Sequence, residues 1–344
     1  VKYKMSKNLF NDFKLSFGTD FNSTHYDENY FENLGINFNS GYVSNIGAVY
    51  AEGEMLFSRK FAAKAGLRLT NSALVDDVYL SPRISLAYKV AKFSQFSFAY
   101  GEFSQMPNTN YLKYSQFHQF ENENASHYIL NYQYYKEGRT FRAEAYYKGY
   151  DNLIKYNTLI PNYNSVYTND GTGFAKGLDI FWRDGKSIKN LEYWISYSYI
   201  DSERNYKNFP VQATPNFVAN NNLSIVTKYW ISDWKSQIGF TNVFATGRPY
   251  NDPNDAQFMN GRTGSYNVLS FNWAYLLSPQ KILYLSVSNV LDSQNVYGYQ
   301  YADNPDNIGI YNRQAIVPTA DQFFFVGFFW TISNNKNDNQ LKNL

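Results

Sequence analysis

The chain has 344 residues, 33 of them tyrosine and 28 phenylalanine, with 31 basic against 29 acidic side chains and no cysteine. That balance, without a basic cluster, gives nucleic acid nothing to bind, and the lack of cysteine excludes a disulfide framework, a thiolate metal site and a cysteine nucleophile. Mean hydropathy is −0.50, and no run of about 18 apolar residues occurs; this excludes a membrane helix but not a barrel, because half of each barrel strand is polar.

In chain order, VKYKM (1–5) reads as the tail of a strand that enters a turn at Ser6. Polarity then predicts fourteen strands: 9–22, 42–57, 60–70, 78–90, 93–104, 125–136, 139–154, 166–183, 191–201, 214–229, 233–245, 265–277, 281–291 and 322–333. The stretch 139–154 shows the pattern best. Phe141, Ala143, Ala145, Tyr147 and Gly149 alternate with Arg142, Glu144, Tyr146, Lys148 and Tyr150, so one face is apolar to aromatic and the other charged. Its length exceeds that of an ordinary soluble strand and suits the roughly 9–11 residues that cross a bilayer at a tilt. Strands 42–57 and 233–245 alternate less well.

Short polar turns near Ser6, Ser58, Val90, Lys136, Arg183, Ile231 and Ser278 alternate with longer connections near 23–41, 71–77, 105–124, 155–165, 202–213, 246–264 and 292–321. Tight turns at one end and long loops at the other mark an up-and-down barrel, with the short turns periplasmic. All six tryptophans (Trp182, Trp194, Trp230, Trp234, Trp273 and Trp330) fall near the short-turn end, as an interfacial girdle requires. A β-propeller needs four short strands per repeat, whereas the pattern here has two long ones. Backbone in lipid cannot leave a sheet edge open. Either 9–22 therefore pairs with 322–333 to close fourteen strands, or strands outside this sequence complete a larger barrel. Residues 334–344 read as a polar tail after a barrel domain at 1–333.

Three stretches resemble the C-terminal part of TonB-dependent outer-membrane receptors. They are YGEFSQMPNTNYL with ENENASHYILNYQYYKEGRTFRAEAYYKGYDNLI, then GTGFAKGLDIFWR, then SVSNVLDSQNVYGYQY. Their order and separations carry the likeness. The resemblance implies a 22-strand barrel around an N-terminal plug, of which this sequence corresponds to strands nine to twenty-two. It also implies a Gram-negative outer membrane, uptake of a bulky nutrient and contact with the TonB complex through the plug. The plug and the first eight strands have no counterpart here. The chain departs from the family in carrying a polar tail where such barrels usually end on an aromatic residue.

Candidate ligand contacts are the loop tyrosines Tyr163, Tyr167, Tyr206, Tyr250 and Tyr299, whose rings stack and whose hydroxyls bond, and the lumen-facing pair Arg142 and Glu144. Ordinary loop packing explains such tyrosines equally well. Cross-strand ion pairing explains Arg142, Glu144, Lys148, Asp179 and Arg183. His25, His118 and His127 stand at no metal-ligand spacing. NDPND (251–255) and DNPDN (303–307) offer carboxylates, but they lack the glycine and closing glutamate of a calcium loop, so no metal or cofactor is expected. No nucleophile–base constellation points to an enzyme. The expected function is a receptor and transporter whose long loops capture the ligand. The alternatives are a complete fourteen-strand, porin-like passive channel, or a barrel that anchors surface partners such as a lipoprotein.

Overall fold

The computed structural model describes residues 1–31, 37–114 and 119–333. Fifteen long or medium strands form one sheet in which each strand neighbours the next along the chain. They are β1 (Lys2–Phe10), β2 (Phe13–Phe31), β3 (Asn37–Leu56), β4 (Phe61–Ser72), β5 (Asp77–Ala91), β6 (Ser94–Gln105), β7 (Glu123–Lys136), β8 (Arg139–Tyr156), β9 (Tyr167–Asp184), β10 (Leu191–Asn205), β11 (Asn221–Ile231), β12 (Ser236–Ala245), β15 (Tyr266–Ser278), β16 (Lys281–Ser288) and β19 (Phe323–Trp330). Two loops carry hairpins of their own, β13 (Pro249–Tyr250) with β14 (Gly261–Arg262) and β17 (Gly298–Tyr301) with β18 (Arg313–Ile316). A short helix, α1 (Thr109–Leu112), lies between β6 and β7. No helix among the described residues is long and apolar enough to cross a membrane.

The chain divides into two compact units. The first holds Val1–Tyr132, Ala145–Lys176 and Ser202–Ala213. Here the antiparallel registers align Met5, Phe17, Ala51, Leu67 and Pro82 in one row across β1 to β5. The next rows carry Leu69 with Leu80 and Ala65 with Ile84. These apolar side chains stand open, Leu67 at 49% and Leu80 at 48% exposure. Water would not tolerate so wide an apolar surface, but acyl chains would. The opposite face is ionic, with Lys64 2.9 Å from Glu52 and Arg68 2.6 Å from Asp20.

The second unit holds Gln133–Glu144, Gly177–Asp201 and Thr214–Leu344. One of its faces aligns Ile225, Asn242, Leu269, Phe240, Phe271, Val287 and Phe324. The other holds Glu192, Lys228, Gly239, Asn272 and Ser286 in a single row. The last strand departs from alternation. Phe325 and Phe329 share the polar face and fold their rings over Gly327, each ring about 6 Å from Tyr284 (6.1 and 6.2 Å). A Cβ on Gly327 would lie 2.8 Å from the Phe325 ring.

Several boundaries differ from the sequence reading. Ser6, Lys7 and Asn8 are no turn but the middle of β1, paired with Ser16, Leu15 and Lys14, and the chain reverses at Asn11–Asp12 instead. The polar residues of a two-faced strand imitate a turn signal. The expected loop 23–41 is mostly ladder, from Ser23 opposite Asn45 to Phe31 opposite Asn37, and this places His25 in a strand. The expected start of a strand at 214 fails because Pro215, fully buried, lacks an amide to donate, and β11 begins only at Asn221. Asn289, in the left-handed region at φ 50°, ends the ladder of β16 early, and its side chain bonds to the backbone of Ser293 and Asp321. Closure of fourteen strands through 9–22 is ruled out, since β2 already pairs with β1 on one edge and β3 on the other. The tryptophans keep to the short-turn end, but alternation places Trp194 and Trp230 in register with Val226 and Gln237 on the polar face, so they cannot join a lipid girdle. His118 and the tail 334–344 lie outside the described residues.

Candidate ligand-binding loops

In the first unit the long connections fold onto one another. Asn108 caps α1 by accepting the Asn110 amide at 3.0 Å, which turns Leu112 inward. Leu112, Phe120 and Ile154, at 2%, 4% and 1% exposure, form a small core, and Tyr111, Tyr156 and Tyr167 pack around it. The Tyr167 ring lies 5.3 Å from Phe120 and 6.1 Å from both Tyr114 and Tyr156, and its hydroxyl donates to the Asn162 carbonyl at 2.9 Å. Tyr206 is buried as well, 4.9 Å from Phe209. Its segment is held by the Lys207 amide, which donates to the Ile154 carbonyl at 2.7 Å. Burial pushes the Tyr111 and Tyr206 phenols above the ordinary tyrosine range. Tyr163 differs, standing exposed and stacked 5.6 Å from Phe38.

In the second unit the loop hairpins present their side chains differently. Tyr250 and Tyr299 lie 4.8 Å apart. Arg313 donates to the Tyr250 hydroxyl at 3.0 Å and sets its guanidinium 4.5 Å from the Tyr299 ring centre. Gly261 faces the Tyr250 ring so closely that a Cβ there would come within 2.5 Å of it. Asn254 joins the two loops, accepting the Tyr311 amide at 2.7 Å and donating to the Tyr311 carbonyl at 3.0 Å. Burial, then the neighbouring Asp252 carboxylate, pushes the Tyr301 phenol up to about 12. Asp252 is itself held below the usual carboxylate range, first by the Asn254 amide.

The acidic loop stretches spend their oxygens on folding the loop. Asp255 accepts the Gln257 amide and the Asn260 side chain, and Asp306 accepts the amides of Ile308 and Ile310. No group of three or more His, Asp or Glu suited to a metal occurs among the described residues. Arg142 and Glu144 lie on β8, on the strand and not in a loop. Arg142 sits 5.9 Å from the Phe181 ring centre. Of the other strand charges, Arg183 bonds Glu192 on the next strand at 2.7 Å. Sequence reasoning missed Arg313 and Tyr301, and weighed Asp252 only as a metal-ligating carboxylate within NDPND. Their only signal is that they flank the same two loops as Tyr250 and Tyr299.

Long two-faced strands with a bare apolar face, joined by short turns at one end and folded loops at the other, define a transmembrane β-barrel of the outer-membrane type. A family model described as TonB dependent receptor-like, beta-barrel, matches residues 2–290, and the chain belongs to that family of Gram-negative outer-membrane proteins. Solved structures agree in fold. The FrpB iron transporter of Neisseria meningitidis superposes with a TM-score of 0.72 at 13% identity, covering 96% of this chain and 54% of its own. The ferric-catecholate import receptor Fiu of Escherichia coli K12 gives 0.66 at 11%, covering 95% and 54%. The copper transporter OprC gives 0.71 at 13%, covering 96% and 55%. The chain thus spans about half the length of the solved relatives it matches. No curated protein matches the sequence.

Proposed function

We propose that this chain supplies the C-terminal barrel strands of a TonB-dependent receptor that imports a bulky nutrient. The long loops capture the ligand. A plug and further N-terminal strands complete the receptor, and the TonB complex energises it through the plug. The observation that carries this reading is the paired loop hairpins on which the half-buried Tyr250 and Tyr299 meet the exposed Arg313, on a barrel of this family. An aromatic face beside a guanidinium suits an anionic or aromatic ligand, a chemistry shared by many metal chelates. Tyr167 and Tyr206 shape the loops from within, and Tyr163 adds an exposed ring at another loop.

The test is uptake by cells with and without the gene, using labelled metal chelates, peptides and oligosaccharides, each repeated with a protonophore. Loss of one class on deletion, and its abolition by the protonophore, supports energised import. Uptake that survives the protonophore, with steady conductance in planar bilayers, identifies a passive channel instead.

A further inference from the structure

At the short-turn end of the second unit, Asp233, Trp234, Lys235, Ser236, Trp273 and Tyr275 line a pocket of about 500 Å³. Register places it. Trp273 pairs with Ile238 and with Leu285, and Leu285 pairs with Val326, so the pocket opens on the apolar face at the level where strands meet a tight turn. Two of its walls are fixed. Trp273 and Tyr275 stack at 5.9 Å with planes 18° apart. The Trp273 indole N–H donates to Ser236 Oγ at 3.0 Å, and the same hydroxyl donates to the Trp234 carbonyl at 2.9 Å. Ser236 is buried, so this chain of bonds is shielded from water. The third wall, Trp234, stands 65% exposed on the turn. Lys235 follows it in the left-handed region at φ 46°, where only the rigid demands of a turn hold a non-glycine residue.

We propose that this pocket binds the headgroup of a phosphoethanolamine lipid from the surrounding leaflet. A greasy wedge alone would need no charges, yet a carboxylate, Asp233, and an ammonium, Lys235, flank the exposed Trp234 in the chain and both line the pocket. That pattern complements a zwitterion. Lys235 meets the phosphate, Asp233 meets the lipid ammonium, and the indole faces of Trp234 and Trp273 attract the same ammonium through their ring quadrupoles. The acyl chains continue down the apolar face along Ile238 and Phe240. The volume falls within the roughly 300–1,000 Å³ typical of small-ligand sites.

The full-length receptor in mild detergent is titrated with dioleoyl phosphatidylethanolamine, dioleoyl phosphatidylglycerol and dioleoylglycerol, and bound lipid is counted by native mass spectrometry. A Trp234→Ala/Lys235→Gln double variant is treated alike, its fold checked by heat-modifiable gel mobility. The expected result is one phosphatidylethanolamine per chain, with affinity at least tenfold weaker for phosphatidylglycerol and in the variant, a free-energy difference of about 1.4 kcal/mol. Millimolar inorganic phosphate does not displace it. Equal retention of dioleoylglycerol, equal retention of phosphatidylglycerol, undiminished binding by the folded variant, or displacement by phosphate would each overturn the proposal.

Discussion

The two loop assemblies use the same residue type to opposite ends. In the first unit tyrosines turn inward: Tyr111, Tyr156 and Tyr167 close around Ile154, and Tyr206 is buried beside Phe209. In the second, Tyr250 and Tyr299 are paired through Arg313 on two hairpins that Asn254 also joins. The first assembly is a small core built where α1 and its loop meet the ends of β8 and β9. The second is a half-buried patch held in shape by hydrogen bonds. A tyrosine in a long loop therefore carries no functional meaning until its neighbours are known.

The largest effect that separates them is core truncation. Ile154→Ala should cost about 2–5 kcal/mol of local stability, read as lost hydrogen-exchange protection at Tyr111–Tyr114 and Glu123. Unchanged protection would mean that the first assembly is no core at all. Next comes Gly171→Ala. Its Cβ would stand 2.4 Å from the Leu153 carbonyl oxygen and 2.8 Å from that of Asn205, both backbone, so the strand ends must move apart. The expected cost is about 1–3 kcal/mol, seen as a lower unfolding midpoint in urea.

Acid, but not alkali, should separate the two assemblies without mutation. The Tyr111 and Tyr206 phenols titrate higher when folded than unfolded. Their contribution is complete below about pH 10, the unfolded value, and fades as pH rises towards the folded one. Asp252 is depressed on folding, so its contribution is present above about pH 4 and fades as pH falls through the folded value. Tyr301 also titrates higher when folded, so alkali should loosen both assemblies, whereas acid, through Asp252, should loosen the loop 246–265, as followed by pH-stepped hydrogen exchange. Loosening of 106–114 by acid while 246–265 holds would sink the comparison. The smallest effect on stability is expected from Arg313→Gln, because the guanidinium itself is exposed. Its consequence should be functional, a weaker capture of the imported ligand by folded receptor on cells. A large loss of folded protein would show that the second assembly is a core as well.

Much of the barrel was legible because a membrane strand writes its two environments into alternate residues. The face of Phe61, Ala65, Leu67 and Leu69 opposite Lys64 and Arg68 reads directly from the sequence, and the registers preserve it. Where polarity has another cause, the reading failed. Ser6 and Asn8 are polar because they share a face with Ser16 and Lys14, while Lys7 between them falls on the face of Leu15; the chain does not turn there. The segment 23–31 is polar because it extends as ladder beyond the apolar rows, where only backbone pairing is needed to hold a strand. The heights of the tryptophans followed from turn spacing, but their faces needed the register, because a shift of one residue exchanges lipid for lumen.

The sequence by itself determined the long strands, the alternation of tight and long connections, the membrane face and, through three motif stretches, the family. Those properties are local, written in every second side chain and in the spacing of turns. Tertiary structure alone decided which tyrosines pack on the small core, that Arg313 joins Tyr250 to Tyr299 across 63 residues, and that Trp273 meets Ser236 across 37. Contacts at such separation depend on how loops close in space, and no periodicity along the chain encodes them.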